Sequence, residues 1–269
     1  MRVLAFVTAC ILLVAGLGWA AGQDEGDQSS GSTSEETPEE EFGGVDGDSP
    51  TSVPHNDAYS EARERLVDRF IVGEGIDDPA VVRAMRSVPR HEFVLPEYRD
   101  LAYRDTALPI DAGQTISQPY VVAFMTEALA LERDDTVLEV GTGSGYQAAV
   151  LAEIVRSVYS IEIIVQLARS ARARLERLGY DNITVVAGDG YYGLPAEAPS
   201  DPIIVTAAAA HIPPPLLEQL APGGRMIIPV GPVYAVQTLI LVEKTSDGEI
   251  TTRQLLPVRF VPMTGAVQG

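Results

Sequence analysis

Cysteine is nearly absent from this chain of 269 residues, with Cys10 standing alone. No intrachain disulfide can form, so the usual staple of exported domains is excluded. Lysine is as scarce: Lys244 is the only one, and arginine carries nearly all of the positive charge. Positive charge as a whole is short, with 19 Lys and Arg against 38 Asp and Glu and a formal net charge of −19. A nucleic-acid footprint needs a basic face, and nothing in this composition suggests one. Histidine occurs three times, at His55, His91 and His211. His55 and His91 carry no argument, and His211 reads as a surface-loop residue beside Ile212-Pro213.

The long apolar run is confined to the start. Val3 to Trp19 follows Arg2 and precedes the small residues Ala20, Ala21 and Gly22. One positive charge, a greasy stretch and a small-residue site read as a secretory signal, cleaved after Ala20 or Gly22. The alternative is an uncleaved anchor, because about 17 apolar residues is the lower limit for a span. Val7-Thr8-Ala9-Cys10 looks like a lipoprotein box, but too little signal precedes it, and Cys10 reads as a small apolar residue of the run. Gln23 to Pro50 holds ten acids and no bases. Such a segment cannot bury enough surface to offset its ordering entropy, which predicts a disordered linker. Three parts follow: residues 1–22 as signal or anchor, 23–55 as acidic linker, and 56–269 as one moderately acidic domain of roughly 200 residues.

In the folded part, Ala62, Leu66 and Phe70 recur at helical spacing, and Gly73 and Gly75 end that helix. Asp78-Pro79 predicts an N-cap and a first-turn proline for a short helix through Arg86. Val88 to Asp111 is irregular. Gln118-Pro119 opens a helix through about Leu131. From Thr136 strands and helices alternate: strands at Thr136–Val140, Ser157–Ile161, Ile183–Ala187, Ile203–Thr206 and Arg225–Pro229, helices at Tyr146–Val155, Ile164–Leu178 and Pro214–Leu220. Gly179 is placed for a left-handed helix cap. Gln237–Glu243 and Thr251–Phe260 read as an antiparallel pair around Ser246-Asp247-Gly248. Alternation of this kind predicts an α/β fold, with a doubly wound and mostly parallel sheet.

In such a sheet ligands sit outside the carboxyl ends of the strands. The first strand runs through Glu139 into Gly141-Thr142-Gly143-Ser144-Gly145-Tyr146-Gln147. A strand turning into a helix over bare backbone is a nucleotide-cofactor cradle. The spacing is G-x-G-x-G rather than the G-x-G-x-x-G of dinucleotide sites. Glu162, about 20 residues on, ends the second strand, where a carboxylate can accept both ribose hydroxyls. Asp189 ends the third, with Gly188 and Gly190 leaving room for an adenine ring. Glu139 is placed to orient the loop or to meet a cofactor ammonium group. A pyrophosphate prefers a helix N-terminus free of acids, whereas a sulfonium and an ammonium tolerate them. The three strand ends together favour S-adenosylmethionine over NAD.

The segments before the loop are more specific. Ala102-Tyr103-Arg104-Asp105-Thr106-Ala107-Leu108-Pro109-Ile110 and Gly113-Gln114-Thr115-Ile116-Ser117-Gln118-Pro119 resemble the substrate-side motifs of protein-L-isoaspartate O-methyltransferases. The glycine loop, Gly188-Asp189-Gly190-Tyr191, Ile203-Ile204-Val205-Thr206-Ala207-Ala208, Pro222-Gly223-Gly224-Arg225 and Val258-Arg259-Phe260-Val261-Pro262-Met263-Thr264 match in order. The resemblance spans roughly Glu61 to Gly265. It implies a class I S-adenosylmethionine-dependent methyltransferase, Rossmann-like, with a seven-stranded sheet and an N-terminal helical addition. It further implies methyl transfer to the α-carboxylate of L-isoaspartyl residues in damaged proteins. A carboxylate is already a nucleophile and a sulfonium already a good leaving group, so alignment and exclusion of water suffice, without a metal or a general base.

By the same resemblance Ser117 is the catalytic residue, its hydroxyl holding the substrate carboxylate. Ser117 also reads as the N-cap of the helix starting at Pro119. Gln114 shapes the substrate pocket, and Tyr103, Asp105, Leu108 and Pro109 line its groove. Thr115, Glu139, Gly141, Gly143, Gly145, Glu162, Asp189, Gly190 and Thr264 form the donor site, with Thr264 closing over it. The chain departs from the pattern in three places. Asp111 stands where glycine is usual and would repel a substrate carboxylate if it points inward. Ser200-Asp201-Pro202 replaces aromatic-Asp-Ala, and Ala209-Ala210-His211 lacks a proline. Two other readings stand beside the enzyme: a carboxyl methyltransferase for another substrate, and an exported module that grips aberrant peptides without turnover. The expected partners are isoaspartyl-containing proteins, for a monomer touching membrane only through an uncleaved N-terminus. The signal places it outside the cytoplasm, in the periplasm or on the membrane; without a working signal it stays in the cytoplasm.

Overall fold

A computed structural model of the protein describes residues 58–232 and 234–266. The expected signal, the acidic linker and His55 lie outside the described residues. The first helix, α1, spans Ser60–Phe70 and buries Arg63, Leu66 and Val67. Its buried face is thus turned from the expected 62/66/70 stripe, and only Leu66 belongs to both. Helix α2 spans Pro79–Ser87, and its cap is the predicted one: Asp78 accepts from the amides of Ala80 and Val81, at 2.7 and 3.1 Å.

The stretch after α2 is less irregular than its sequence suggests. Short 3-10 helices at Arg90–Glu92 and Pro96–Leu101 lead into a hairpin of two-residue strands. In it β1, Leu108–Pro109, pairs antiparallel with β2, Thr115–Ile116. Ala112 (φ 56°) and Gly113 (φ 68°) turn the chain between them. Helix α3 spans Pro119–Ala128 and stops short of Leu131. The amides of Leu129 and Ala130 reach back only three residues, to Thr126 and Glu127, and Ala130 goes left-handed at φ 50°.

The rest alternates as expected. The elements are β3 Thr136–Val140, α4 Tyr146–Ala152, β4 Ser157–Glu162, α5 Val165–Arg177, β5 Ile183–Ala187 and β6 Ile203–Val205. They continue as α6 Pro214–Gln219, β7 Arg225–Val230, β8 Gln237–Lys244 and β9 Ile250–Val258. Helix α5 ends as predicted, with Gly179 at φ 84° and the Tyr180 amide returning to the Leu175 carbonyl. Helix α4 is one turn shorter than expected, because Ile154 closes a turn on Leu151. Lys244, the one lysine, lies at the end of β8 and donates to the carbonyls of Leu217 (3.1 Å) and Leu220 (2.8 Å) at the end of α6.

The sheet has seven strands in the order β5-β4-β3-β6-β7-β8-β9, the first five parallel and the last two joined antiparallel. Central strands buried on both faces read as continuous apolar runs, as β6 and β7 do. Val137, Ile204 and Ile227 face a core shared with α3 and α4, while Leu138, Ile203 and Met226 face α6. A further core joins α1, α2 and the hairpin to α4 and α5 through Met85, Phe93, Leu108, Ile116 and Tyr146. Pro202 precedes β6, so its missing N–H costs no ladder bond, and its carbonyl accepts from the Leu138 amide. Strand order reverses between β3 and β6, which opens a crevice at their carboxyl ends.

Candidate active site

A cleft lies at that crevice. One wall is the glycine loop after β3. Gly141 has φ 103°, and a Cβ there would stand 2.5 Å from Thr206 Oγ1. The loop is held open by its own backbone contacts: the Gly141 amide donates to Ile161 O (2.8 Å), and Thr206 Oγ1 donates to Gly141 O (2.6 Å). Gly190 reaches the wall for a similar reason, since a side chain there would collide with Val140. Gly143 is on the wall as well. Gly145 is not; it turns the chain into α4 at φ 88° and packs against Leu175.

Glu162, at the end of β4, lines the cleft and is 6% exposed. Its Oε2 accepts from the Gly143 amide (2.8 Å) and its Oε1 from the Ile164 amide (2.9 Å). Each carboxylate oxygen keeps a further acceptor site, so the side chain is oriented and still able to take two hydroxyls. Glu139 is fully buried and absent from the cleft wall. Ser160 donates to its Oε2 and is itself bonded to Thr142 Oγ1 at 2.6 Å, while Oε1 has no partner among the described residues. Burial pushes the Glu139 carboxyl up to about 8. Of its two expected roles, the geometry displays the support of the loop and not direct contact with a ligand.

Asp189 follows β5 but is also off the wall. Its Oδ1 accepts from the Tyr191 amide (3.0 Å) and its Oδ2 from the Ala266 amide (2.8 Å). The carboxylate therefore anchors the end of the chain, which lays Thr264 against the cleft. The Met263 amide, bonded to Ala208 O at 2.7 Å, holds the same segment.

Gln114, Thr115 and Ser117, from the hairpin, form another wall. Ser117 is not the cap of α3: that position belongs to Gln118, which makes no side-chain cap bond. Asp105 does the capping from a distance. Its Oδ1 accepts from the Tyr120 amide (2.8 Å) and its Oδ2 from Gln118 Nε2 (2.7 Å). Tyr103, Asp105, Leu108 and Pro109 do not line the cleft. Leu108 is in the core, and Pro109 pairs with Thr115 across the hairpin. The Tyr103 hydroxyl meets His91 Nδ1 (2.8 Å) and accepts from Arg63 (3.1 Å), and burial raises it to about 12. Asp111 is exposed and lines a separate, smaller pocket with Ser170 and Arg174, so it does not point into the cleft.

Several wall residues had gone unassigned, among them Thr142, Tyr146, Gln147, Thr206 and Met263. All lie inside the motifs quoted above, so their signal was present. Arg90 had none: it is fully buried in the irregular stretch, yet it donates to the carbonyls of Ala102, Thr106 and Ser117.

The strand order and a bare-backbone cleft at the switch point place the protein among class I S-adenosylmethionine-dependent methyltransferases. The comparisons narrow this. The family model for protein-L-isoaspartate(D-aspartate) O-methyltransferase matches residues 61–268. A protein-L-isoaspartate O-methyltransferase 2 of Syntrophobacter fumaroxidans is 58% identical over 219 residues, covering 78% of this chain and 89% of that protein. One from Polaromonas is 59% identical over 197 residues, covering 73% and 93%. A solved protein-L-isoaspartate O-methyltransferase superposes with a TM-score of 0.70 at 32% identity, covering 76% of this chain and 67% of that one. A Plasmodium falciparum structure described as such an enzyme, in complex with S-adenosyl-L-homocysteine, gives 0.65 at 26% identity, covering 75% and 98%. The chain belongs to the protein-L-isoaspartate O-methyltransferase family.

Proposed function

We infer that the protein repairs damaged proteins by methylating the α-carboxylate of L-isoaspartyl residues, with Ser117 as the residue that meets the substrate. The observation that carries the reading is one cleft with two unlike walls: Ser117 and Gln114 on one, the Glu162-braced glycine loop on the other. The second wall fits S-adenosylmethionine. Bare backbone at Gly141 and Gly190 gives room that any side chain would fill, and Glu162 keeps acceptors for the ribose. When bound, this donor supplies an electrophilic methyl group whose sulfur leaves as a neutral thioether.

The chain's own residues then have little chemistry to do. Among the described residues nothing engages the Ser117 hydroxyl, so it is free to donate to a carboxylate oxygen and hold it in line. Gln114, half-buried in the cleft wall, keeps water from the reacting atoms. No proton has to move, because the attacking carboxylate is already ionised at neutral pH.

The test uses the full chain, labelled methyl donor and matched isoaspartyl and aspartyl peptides. Base-labile label on the isoaspartyl peptide alone is the expected result. Ser117→Ala should lower kcat by roughly 10- to 100-fold and leave S-adenosylhomocysteine affinity nearly intact. Donor binding without transfer to either peptide would overturn the reading in favour of a module that only grips peptides.

Export belongs to the same proposal. Arg2, the apolar run to Trp19 and the small residues after it support a signal, and the lack of cysteine pairs is compatible with either side of a membrane. The protein acts as a monomer outside the cytoplasm and touches membrane only if residues 1–22 stay attached. Cell fractionation, N-terminal mass analysis of the mature chain and sedimentation test these three points in turn.

A further inference from the structure

Arg90 is fully buried, and among the described residues no carboxylate lies within hydrogen-bond reach of it. Its guanidinium instead meets three carbonyls: Ala102 from Nε at 2.9 Å, and Thr106 and Ser117 from Nη2 at 3.3 and 2.8 Å. The guanidinium carbon lies 4.8 Å from the ring centre of Tyr146, a residue of the cleft wall. Nη1 has no hydrogen-bond partner among the described residues. As a device for stability this is a poor one. A buried charge with an unsatisfied donor is costly, and an apolar residue of similar size is often as good or better.

The acceptors show what the arginine achieves. Ala102 and Thr106 belong to the loop before β1, Ser117 ends the hairpin, and Tyr146 begins the helix after the glycine loop. One planar fork therefore ties the hairpin and the donor loop to a single point. Asp105 grips the same segment from the other side, through Gln118 and the Tyr120 amide. Ser117 is thus clamped at its own carbonyl and again just beyond it, while its hydroxyl is left free. A lysine could not substitute, because its charge sits on one nitrogen and offers no fork.

We propose that Arg90 is a positioning residue for methyl transfer: it fixes the Ser117 carbonyl and so sets the Ser117 hydroxyl at the cleft without touching substrate or donor. This rests on the assignment of Ser117 to the substrate carboxylate.

The experiment is a double-mutant cycle in the full chain with Arg90→Lys and Ser117→Ala. It reads kcat and KM for an isoaspartyl peptide, S-adenosylhomocysteine affinity by calorimetry and the urea midpoint. Alone, Arg90→Lys should lower kcat/KM by about 10- to 100-fold, the scale set by small misplacements of reacting groups. The dissociation constant for S-adenosylhomocysteine should stay within about threefold. In the Ser117→Ala background, Arg90→Lys should cost about twofold or less, because residues acting through one another are not additive. An equal loss in both backgrounds overturns the proposal, as does a donor affinity that falls in step with activity. Arg90→Gln, neutral but similar in length, is measured alongside. If neither variant unfolds cooperatively, the arginine is structural and the proposal fails. A crippled Ser117→Ala with an intact Arg90→Lys sinks this proposal alone; a fully active Ser117→Ala sinks the assignment of Ser117 as well.

Discussion

The two walls of the cleft are made by different means. The donor wall is backbone: Gly141 and Gly190 are shaped by what would collide with them, and Glu162 is set by two amides. The acceptor wall hangs on long-range side-chain contacts, Arg90 to three carbonyls and Asp105 to the start of α3. A donor that is always the same molecule suits a rigid cradle. An acceptor that arrives in many proteins needs only its reacting group fixed, and the rest of the hairpin can be held by a few removable bonds. Substitutions on the donor wall should therefore strike affinity for the donor, and those on the acceptor wall should strike turnover.

The largest effect should come from Gly141→Ala. The new methyl meets Thr206 Oγ1 at a left-handed φ, and the strain moves the loop. Affinity for S-adenosylhomocysteine should drop about 100-fold or more, read by calorimetry; an unchanged affinity would mean that the backbone does not define this wall. Next is Glu139. Its folded-state carboxyl is raised to about 8 by burial, above an unfolded value near 4.5. The folded protein binds the extra proton between those values, so stability falls as pH rises from about 4.5 to 8 and levels off above. Glu139→Gln should flatten that slope in urea titrations at pH 5.5 and 8.5, and parallel slopes would refute the burial argument.

Glu162→Gln should weaken S-adenosylhomocysteine by about 10- to 30-fold. Both carboxylate oxygens accept amides, so the new NH₂ must face a donor whichever way the side chain lies. Asp105→Asn is the smallest. Losing half of the grip on Gln118 and Tyr120 should cost about 1 kcal/mol of stability and raise KM for the peptide, with donor affinity unmoved. A variant of Asp105 that lost donor affinity first would break the division between the walls.

The same division explains what could be read in advance. The donor wall is local in sequence, one glycine loop and two strand ends, and alternation predicted a mostly parallel sheet closed by an antiparallel pair. Glu162 and Gly190, picked out by spacing, line the cleft; Asp189, picked out the same way, is turned to the amide of Ala266, which lies far along the chain. On the acceptor side, two-residue strands leave no periodicity, so β1 fell within chain read as irregular and β2 drew no assignment. Ser117 looked like a cap because hydroxyls usually are caps, whereas Asp105 supplies that bond across 15 residues. Arg90 shows the limit most clearly: its three acceptors are main-chain oxygens, and a carbonyl leaves no mark in a sequence.

Lys244 carries a practical consequence. An amine-acylating reagent finds one side-chain target in 269 residues, and that amine is engaged by two carbonyls at the end of α6. Labelling should be slow until that corner opens. Its rate is then a built-in clock for local breathing of the α6–β8 junction, read by mass alone and without introducing a probe.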